Sequence, residues 1–245
     1  ANELLLINEN LMLLSISDLV VDYGFVPSTG GTRAAYLREF DDGIHLIWES
    51  ISTVPDYLDL WTVPDTMEIR GRPSITYRVN SPYIMLNLKH STNPDANQIV
   101  LTKSDETQES YNLNAVEALL DPYNDGTDRI AYIKENGSGR AGADEVVITE
   151  IRQGELVEQT RLDFSEYGSG TGSLAWSHYG QMVACYIGNT RPTHVAIISA
   201  TGLFDTKVIE LEKPAAVNSA EYEHLAAPEF SPANGELGYS DRLAL

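Results

Sequence analysis

A chain of 245 residues is long enough for one large domain or two small ones, and for a real hydrophobic core. Its 42% apolar and 21% charged residues exclude a disordered chain, a collagen-like repeat and a disulfide-dense miniprotein. Asp and Glu number 36 against 16 Lys and Arg, of which five are Lys, leaving a net charge of −20. Such a surface repels phosphate backbones and anionic lipid, so no nucleic acid and no membrane insertion is expected; a basic protein surface or a cation suits it better.

The chain opens on Ala1 rather than Met, which fits a removed leader or an excised fragment. Its first apolar stretch, residues 4–7 and 11–14, is broken by Asn8, Glu9 and Asn10, so it reads as two short strands, 3–7 and 11–17, and not as a membrane span. Helical signals are nearly absent from there on. Runs rich in β-branched and aromatic residues follow one another between Gly, Pro, Asn and Asp: 44–48, 83–88, 145–151, 194–199 and 207–211. Many short strands between turn signals indicate an all-β chain. One cysteine, Cys185, rules out an internal disulfide and Cys-based zinc sites.

A unit recurs along these strands: a hydrophobe, a nearby Pro, a polar tip, a Gly, then a strand ending in a small residue and an aromatic. It is seen from Phe25 through Gly31 to Ala35-Tyr36, from Leu120-Asp121-Pro122 through Gly126 to Ala131-Tyr132, and from Trp176-Ser177 through Gly180 to Ala184-Cys185-Tyr186. Phe230-Ser231-Pro232 with Gly235 leads into Leu237-Gly238-Tyr239, and a fainter copy places Gly71 before Ile75-Thr76-Tyr77. The anchor glycines Gly31, Gly71, Gly126, Gly180 and Gly235 are 40, 55, 54 and 55 residues apart. In each unit Pro and Asn or Asp start a turn, Gly supplies a positive φ, and the apolar strand lies deep in a sheet. A period of ~40 to 55 residues with about four strands is that of a propeller blade.

Trp176-Ser177-x-x-Gly180 with Val183-Ala184, and Phe230-Ser231-Pro232 with Gly235, resemble the aromatic-Ser-Pro-Asp-Gly-x-x-Ile-Ala-aromatic motif of the TolB-like β-propeller repeats, a PD40 or WD-repeat-like family. The resemblance implies a scaffold that binds protein partners in the periplasm or outside the cell.

The phase of the repeat suggests how the ring closes. The C-terminus stops after the first two strands of a unit, and the N-terminus begins with two strands that have none before them. Five four-stranded blades are therefore expected, at about 23–65, 66–113, 114–165, 173–213, and 223–245 joined with 1–22, forming a single domain over 1–245. Sharing the last blade buries both open sheet edges. The alternative is a fragment of a six- to eight-bladed propeller.

Loops joining the second strand of a blade to the third, and the fourth to the next blade, share the face where ligands usually enter. Here they are expected at 41–43, 80–82, 107–112, 136–144, 166–172, 188–193 and 214–226. No nucleophile elbow, zincin, Walker or Cys-x-x-Cys motif occurs in the sequence. The candidate partner contacts are Arg140, Asp144, Tyr167, Arg191, Tyr222 and His224, the two arginines being scarce cations on an acidic face. Tyr111 is placed with Tyr167 and Tyr222 in long loops, while Trp48, Trp61 and Trp176 are expected to pack between blades.

Three further patterns have other readings. Glu68, Glu117 and Glu229 lie on or before innermost strands, and carboxylates ~5 to 9.5 Å apart are what a glycoside hydrolase requires. They are the catalytic candidates of the alternative reading, a carbohydrate-active five-bladed enzyme, and otherwise rim groups holding a cation such as calcium. The run from Asp121 to Gly126 resembles a calcium loop but lacks its ligands, since Tyr123 and Tyr132 fall at ligand positions, so it reads as a turn. The five histidines share no ligand spacing; His45 and His194 open strands in different blades. Asn136-Gly137-Ser138 is a formal glycosylation sequon. The reading is a non-enzymatic interaction module, with no cofactor required.

Overall fold

The computed structural model describes residues 2–7, 13–28, 31–50, 56–75, 83–103, 107–122, 127–134, 145–167, 174–177, 180–187, 193–211, 229–231 and 242–244. Regular structure among them is β-strand with two single-turn 3-10 helices, as the strand-and-turn punctuation of the sequence dictates. The chain divides into two compact units, Ala1–Leu113 and Asn114–Leu245.

In the first unit β1 (Asn2–Ile7), β2 (Leu13–Ser28), β3 (Gly31–Phe40), β4 (Gly43–Ser50) and β5 (Asp56–Val63) form one antiparallel sheet in that order. A second sheet holds β6 (Met67–Ile75), β7 (Tyr83–His90), β8 (Gln98–Lys103) and β9 (Gln108–Asn112). In the second unit β10 (Ala115–Leu120), β11 (Arg129–Lys134), β12 (Glu145–Arg152) and β13 (Glu155–Asp163) make one four-stranded meander. Another is formed by β14 (Leu174–Trp176), β15 (Met182–Ile187), β16 (His194–Ser199) and β17 (Lys207–Glu210), and β18 (Glu229–Ser231) pairs with β19 (Arg242–Ala244). Among the described residues no helix is long and apolar enough to cross a membrane.

The central strands are apolar on both faces because both faces are covered. Ala35 and Leu37 of β3 stand opposite Trp48 and Leu46 of β4, and these four share a core with Ile84, Leu86 and Leu88 of β7. Tyr36 and Ile47, paired with each other, look the other way and are 2% and 1% exposed. The small Ala35 leaves room for the large Trp48 opposite it, and the Leu37–Leu46 pair packs beside them in the same core. The second unit repeats the device: Ala131 opposes Ile148, Ile133 opposes Val146, Cys185 opposes Ala196 and Val183 opposes Ile198, all in one core closed by Phe164. Between β12 and β13 the Gln153-Gly154 pair has φ of 53° and 82°, the two left-handed positions of a two-residue hairpin turn.

The structure departs from the sequence reading at four places. β2 runs unbroken over 16 residues, its first part paired with β1 and the part from Val20 onward with β3, where separate strands were expected. Gly71 lies inside β6 and not in a turn: the register slips between Arg70 and Ser74, where Pro73 cannot donate to the ladder. The loop expected at 80–82 lies outside the described residues. Residues 108–112 form β9 in place of a loop, and Tyr111 within it is 9% exposed, its hydroxyl donating to Glu109 at 2.9 Å. The partner of β18 is Arg242–Ala244; the expected strand at 237–239 lies outside the described residues.

Candidate functional site

The repeated turn is the part of the sequence pattern most fully described, at Trp176 to Gly180. Ser177 follows the last residue of β14 and is buried; its short hydroxyl accepts the backbone N–H groups of Gln181 and Met182, each at 3.1 Å. The N–H of Gly180 donates to the Ser177 carbonyl at 3.0 Å, and that of Ser177 to the Met182 carbonyl at 2.9 Å. Gly180 has φ +65°, and a Cβ there would run into the carboxylate of Asp121. Asp121 occupies the same place after β10 that Ser177 does after β14. It is 1% exposed and accepts from the guanidinium of Arg129 at 3.0 Å. The repeat motif thus satisfies backbone donors and packs one sheet's turn against the next.

β10 and β14 are each the first strand of their sheet. Among the described residues, two side-chain contacts join them. The indole N–H of Trp176 donates to the Leu119 carbonyl at 3.0 Å, and the N–H of Leu174 donates to Glu117 Oε2 at 3.3 Å. Burial raises the Glu117 carboxyl to about 7, and the Leu174 N–H works weakly in the opposite direction. Glu117 is therefore half neutral near pH 7, held between two strands by a backbone contact.

A different arrangement surrounds His45 in the first unit. The two-residue turn Asp41-Asp42 brings Asp42 Oδ1 to 3.1 Å from Nε2, while Asp59 of β5 lies 2.6 Å from Nδ1. The ring is packed on Phe40 at 4.7 Å, and Phe40 in turn carries the Arg38 guanidinium at 4.9 Å. Burial depresses the imidazole, but the Asp59 and Asp42 carboxylates outweigh it and hold its pKa above the usual histidine value.

The sequence candidates fall as follows. Glu68 is on β6 in the first unit and exposed; Glu117 and Glu229 are on β10 and β18 of the second. Tyr167 ends a 3-10 turn, is 38% exposed, and meets the His194 ring at 5.1 Å. Arg140, Asp144, Arg191, Tyr222 and His224 lie outside the described residues, as do the 136–138 sequon and His178. Trp48 and Trp61 pack in the core of the first unit, and Trp176 bridges two sheets of the second. His90 accepts the N–H groups of Thr92 and Asn93 and so fixes a turn. Among the described residues no group of three or more His, Cys, Asp or Glu could hold a metal ion. Sequence reasoning missed the buried Asp121–Arg129 pair, the Asp42–His45–Asp59 bridge, and a polar cleft of about 310 Å³ where Arg129, Arg152, Gln159 and Thr160 meet Thr201 and Gly202. In that cleft Arg152 is paired with Glu150 at 2.6 Å.

No protein-family model matches the sequence, and no curated protein matches it. Solved structures do. The chain is similar to TolB from Acinetobacter baumannii, at 12% identity and TM-score 0.56, over 98% of this chain and 56% of that one. It is also similar to an oligogalacturonate lyase from Vibrio parahaemolyticus, at 13% identity and TM-score 0.55, over 86% of this chain and 60% of that one. The chain thus spans a little over half the length of the structures it matches. Both are β-propellers, and with the four-stranded antiparallel meanders described above the likeness shows a propeller-type fold.

Proposed function

We propose that this chain is a non-enzymatic interaction module of the TolB-like propeller type, exported to the periplasm or cell exterior, that binds a basic protein surface through loops on one face. The observation that carries the reading is the position of Glu117: the innermost-strand carboxylate with described contacts is committed to the backbone of β14. Repeat residues such as Ser177 and Asp121 likewise serve the scaffold. In a propeller the loops on one face carry the variable chemistry, and the sequence places the longest of them at 136–144, 166–172 and 214–226. The net charge of −20 favours a basic partner and salt-dependent association.

The same reading takes the ring as five blades, the last made from both ends of the chain. Supporting it, β2 changes pairing partner at Val20, so that β1 with the first part of β2 supplies two strands beyond the four of β2 to β5. The sheet of β18 and β19 holds two. Deleting residues 1–22 is expected to abolish cooperative unfolding, whereas a truncated chain that melts like the full one sinks the closure.

Charge reversal of Arg140 and Arg191 together tests the contact face: binding to the partner captured from the native source at low salt should weaken, with the melting temperature unchanged within ~2 °C. Unchanged binding moves the search to the opposite face, where the Arg129–Arg152 cleft lies.

A carbohydrate-active enzyme is the second reading, favoured by the neutral-leaning Glu117 carboxyl, a property of general acids, and by the fold likeness to an oligogalacturonate lyase. Polysaccharide turnover that vanishes on replacing Glu68, Glu117 or Glu229 singly would establish it over the binding reading.

A further inference from the structure

His45 is 7% exposed and has a carboxylate on each ring nitrogen, Asp59 at 2.6 Å and Asp42 at 3.1 Å. An imidazole can donate from both nitrogens only when protonated; the neutral ring donates from one and turns a lone pair toward whatever faces the other. The two acids differ in what holds them. Asp59 is carried on a strand, β5, where it is paired with Ile47 of β4 and is 43% exposed, whereas Asp42 is 76% exposed at the tip of the β3–β4 turn. Asp42 is therefore the partner that leaves when the proton does.

From this geometry we infer that the Asp42–His45–Asp59 bridge is a pH-operated latch, in which imidazolium pins the β3–β4 turn to β5 and the neutral ring releases it. The charged groups facing the ring are Asp42 from the turn, Asp59 from β5, and Arg38, the cross-strand partner of His45 on β3, which is drawn onto the Phe40 ring. Thr62, its neighbour on β5, places a hydroxyl 3.5 Å from Nδ1, within reach of a neutral ring as well. Glu39 and Asp41, at the strand end and in the turn, add negative potential that also favours the cation. The balance of these groups is anionic, which moves the switching point above the ordinary histidine value.

The turn is one of the connections between second and third strands, so the latch would alter the contact face as pH changes. That consequence rests on the interaction reading; the latch itself does not, and its test involves no partner.

The experiment is a pH titration of the full chain, isotope-labelled, following the histidine ring signals and the amide exchange of Gly43, with His45→Gln to assign the ring. His45 should titrate above the ordinary histidine value, and Asp42→Asn, a change at an exposed position that leaves the fold intact, should lower its pKa. After correction for intrinsic exchange, Gly43 protection should fall about tenfold across the His45 titration, the loss of one charge-assisted hydrogen bond, and should be uniformly low in Asp42→Asn. Protection that ignores the His45 titration, or a His45 pKa unmoved by Asp42→Asn, overturns the latch.

Discussion

The two units bury an ionisable group in opposite ways. In the first, a buried His45 meets two carboxylates that remain partly in water and its charged form is the satisfied one; in the second, Glu117 is buried against a backbone N–H and its neutral form is favoured. Both pKa values rise, yet for different reasons: partners overcome burial at His45, and burial itself acts at Glu117. A raised pKa alone therefore does not separate a built ion pair from a displaced one. Mutating the partner does, because it moves His45 and has little to act on at Glu117.

The largest effect is expected where the second unit uses a partner after all. Asp121→Ala leaves the buried Arg129 guanidinium without its carboxylate and should cost ~3 to 5 kcal/mol in urea unfolding. Gly180→Ala should also be costly, through its left-handed φ and the collision with Asp121. The two changes should not add: with Asp121 truncated, only the backbone strain of ~1 to 2 kcal/mol remains at position 180. Additive costs would mean that the carboxylate and the turn do not pack as one.

Glu117→Gln comes next. The folded carboxyl at about 7 holds its proton while the unfolded one, near 4.5, has lost it, so the native state binds more protons between those values. Stability must then fall as pH rises from 4.5 to 7, by an amount of order 3 kcal/mol. The amide keeps an oxygen for the Leu174 N–H and never ionises. The variant should match the parent near pH 4.5 and exceed it at pH 8; parallel curves would mean that Glu117 is solvated.

Asp59→Asn probes the other side of the comparison. Because the folded His45 pKa is raised, its contribution is full below 6.5 and is lost as pH rises through the folded value. Removing the Asp59 charge should lower stability by ~1.5 kcal/mol in mild acid and by less at pH 9, where the ring is neutral in both. An equal loss at both pH values would identify Asp59 as a packing group.

Much of the scaffold was legible because the physics is local. A run such as His194 to Ser199 has the β-branched content and flanking turn residues of a buried strand, and the structure gives β16 those bounds. The repeat also identified Ser177 and Gly180, since a short hydroxyl and a left-handed φ are demands of the turn itself. Gly71 misled because a glycine beside Pro73 marks an irregular strand as readily as a turn, and only ladder pairing distinguishes them. The partners of His45 were hidden for a related reason. Asp59 is 14 residues away and arrives through the β4–β5 register; the signal available was an acid in the turn just before a strand that opens on histidine. Glu117 was singled out by its place on a first strand, but its partner left no signal, because what it meets is the backbone of Leu174, and a backbone N–H carries no residue identity.

The smallest effect returns to the edge that Glu117 shares with Trp176. Trp176→Phe keeps most of the apolar surface packed beside Leu119 and removes a single donor, the indole N–H at 3.0 Å from the Leu119 carbonyl. A neutral hydrogen bond of this kind is worth ~1 kcal/mol net, somewhat more where the abandoned carbonyl is shielded from water. The change alters no charge, so its cost should be the same at pH 5 and pH 8, unlike that of either ionisable group. Its coupling is the informative quantity. If β10 and β14 are held together by both contacts, Trp176→Phe and Glu117→Ala should interact in a double-mutant cycle at pH 5, where Glu117 is neutral, by ~0.5 kcal/mol or more. Strict additivity there would mean that the two contacts act on separate parts of the edge, and that each strand is positioned by its own sheet.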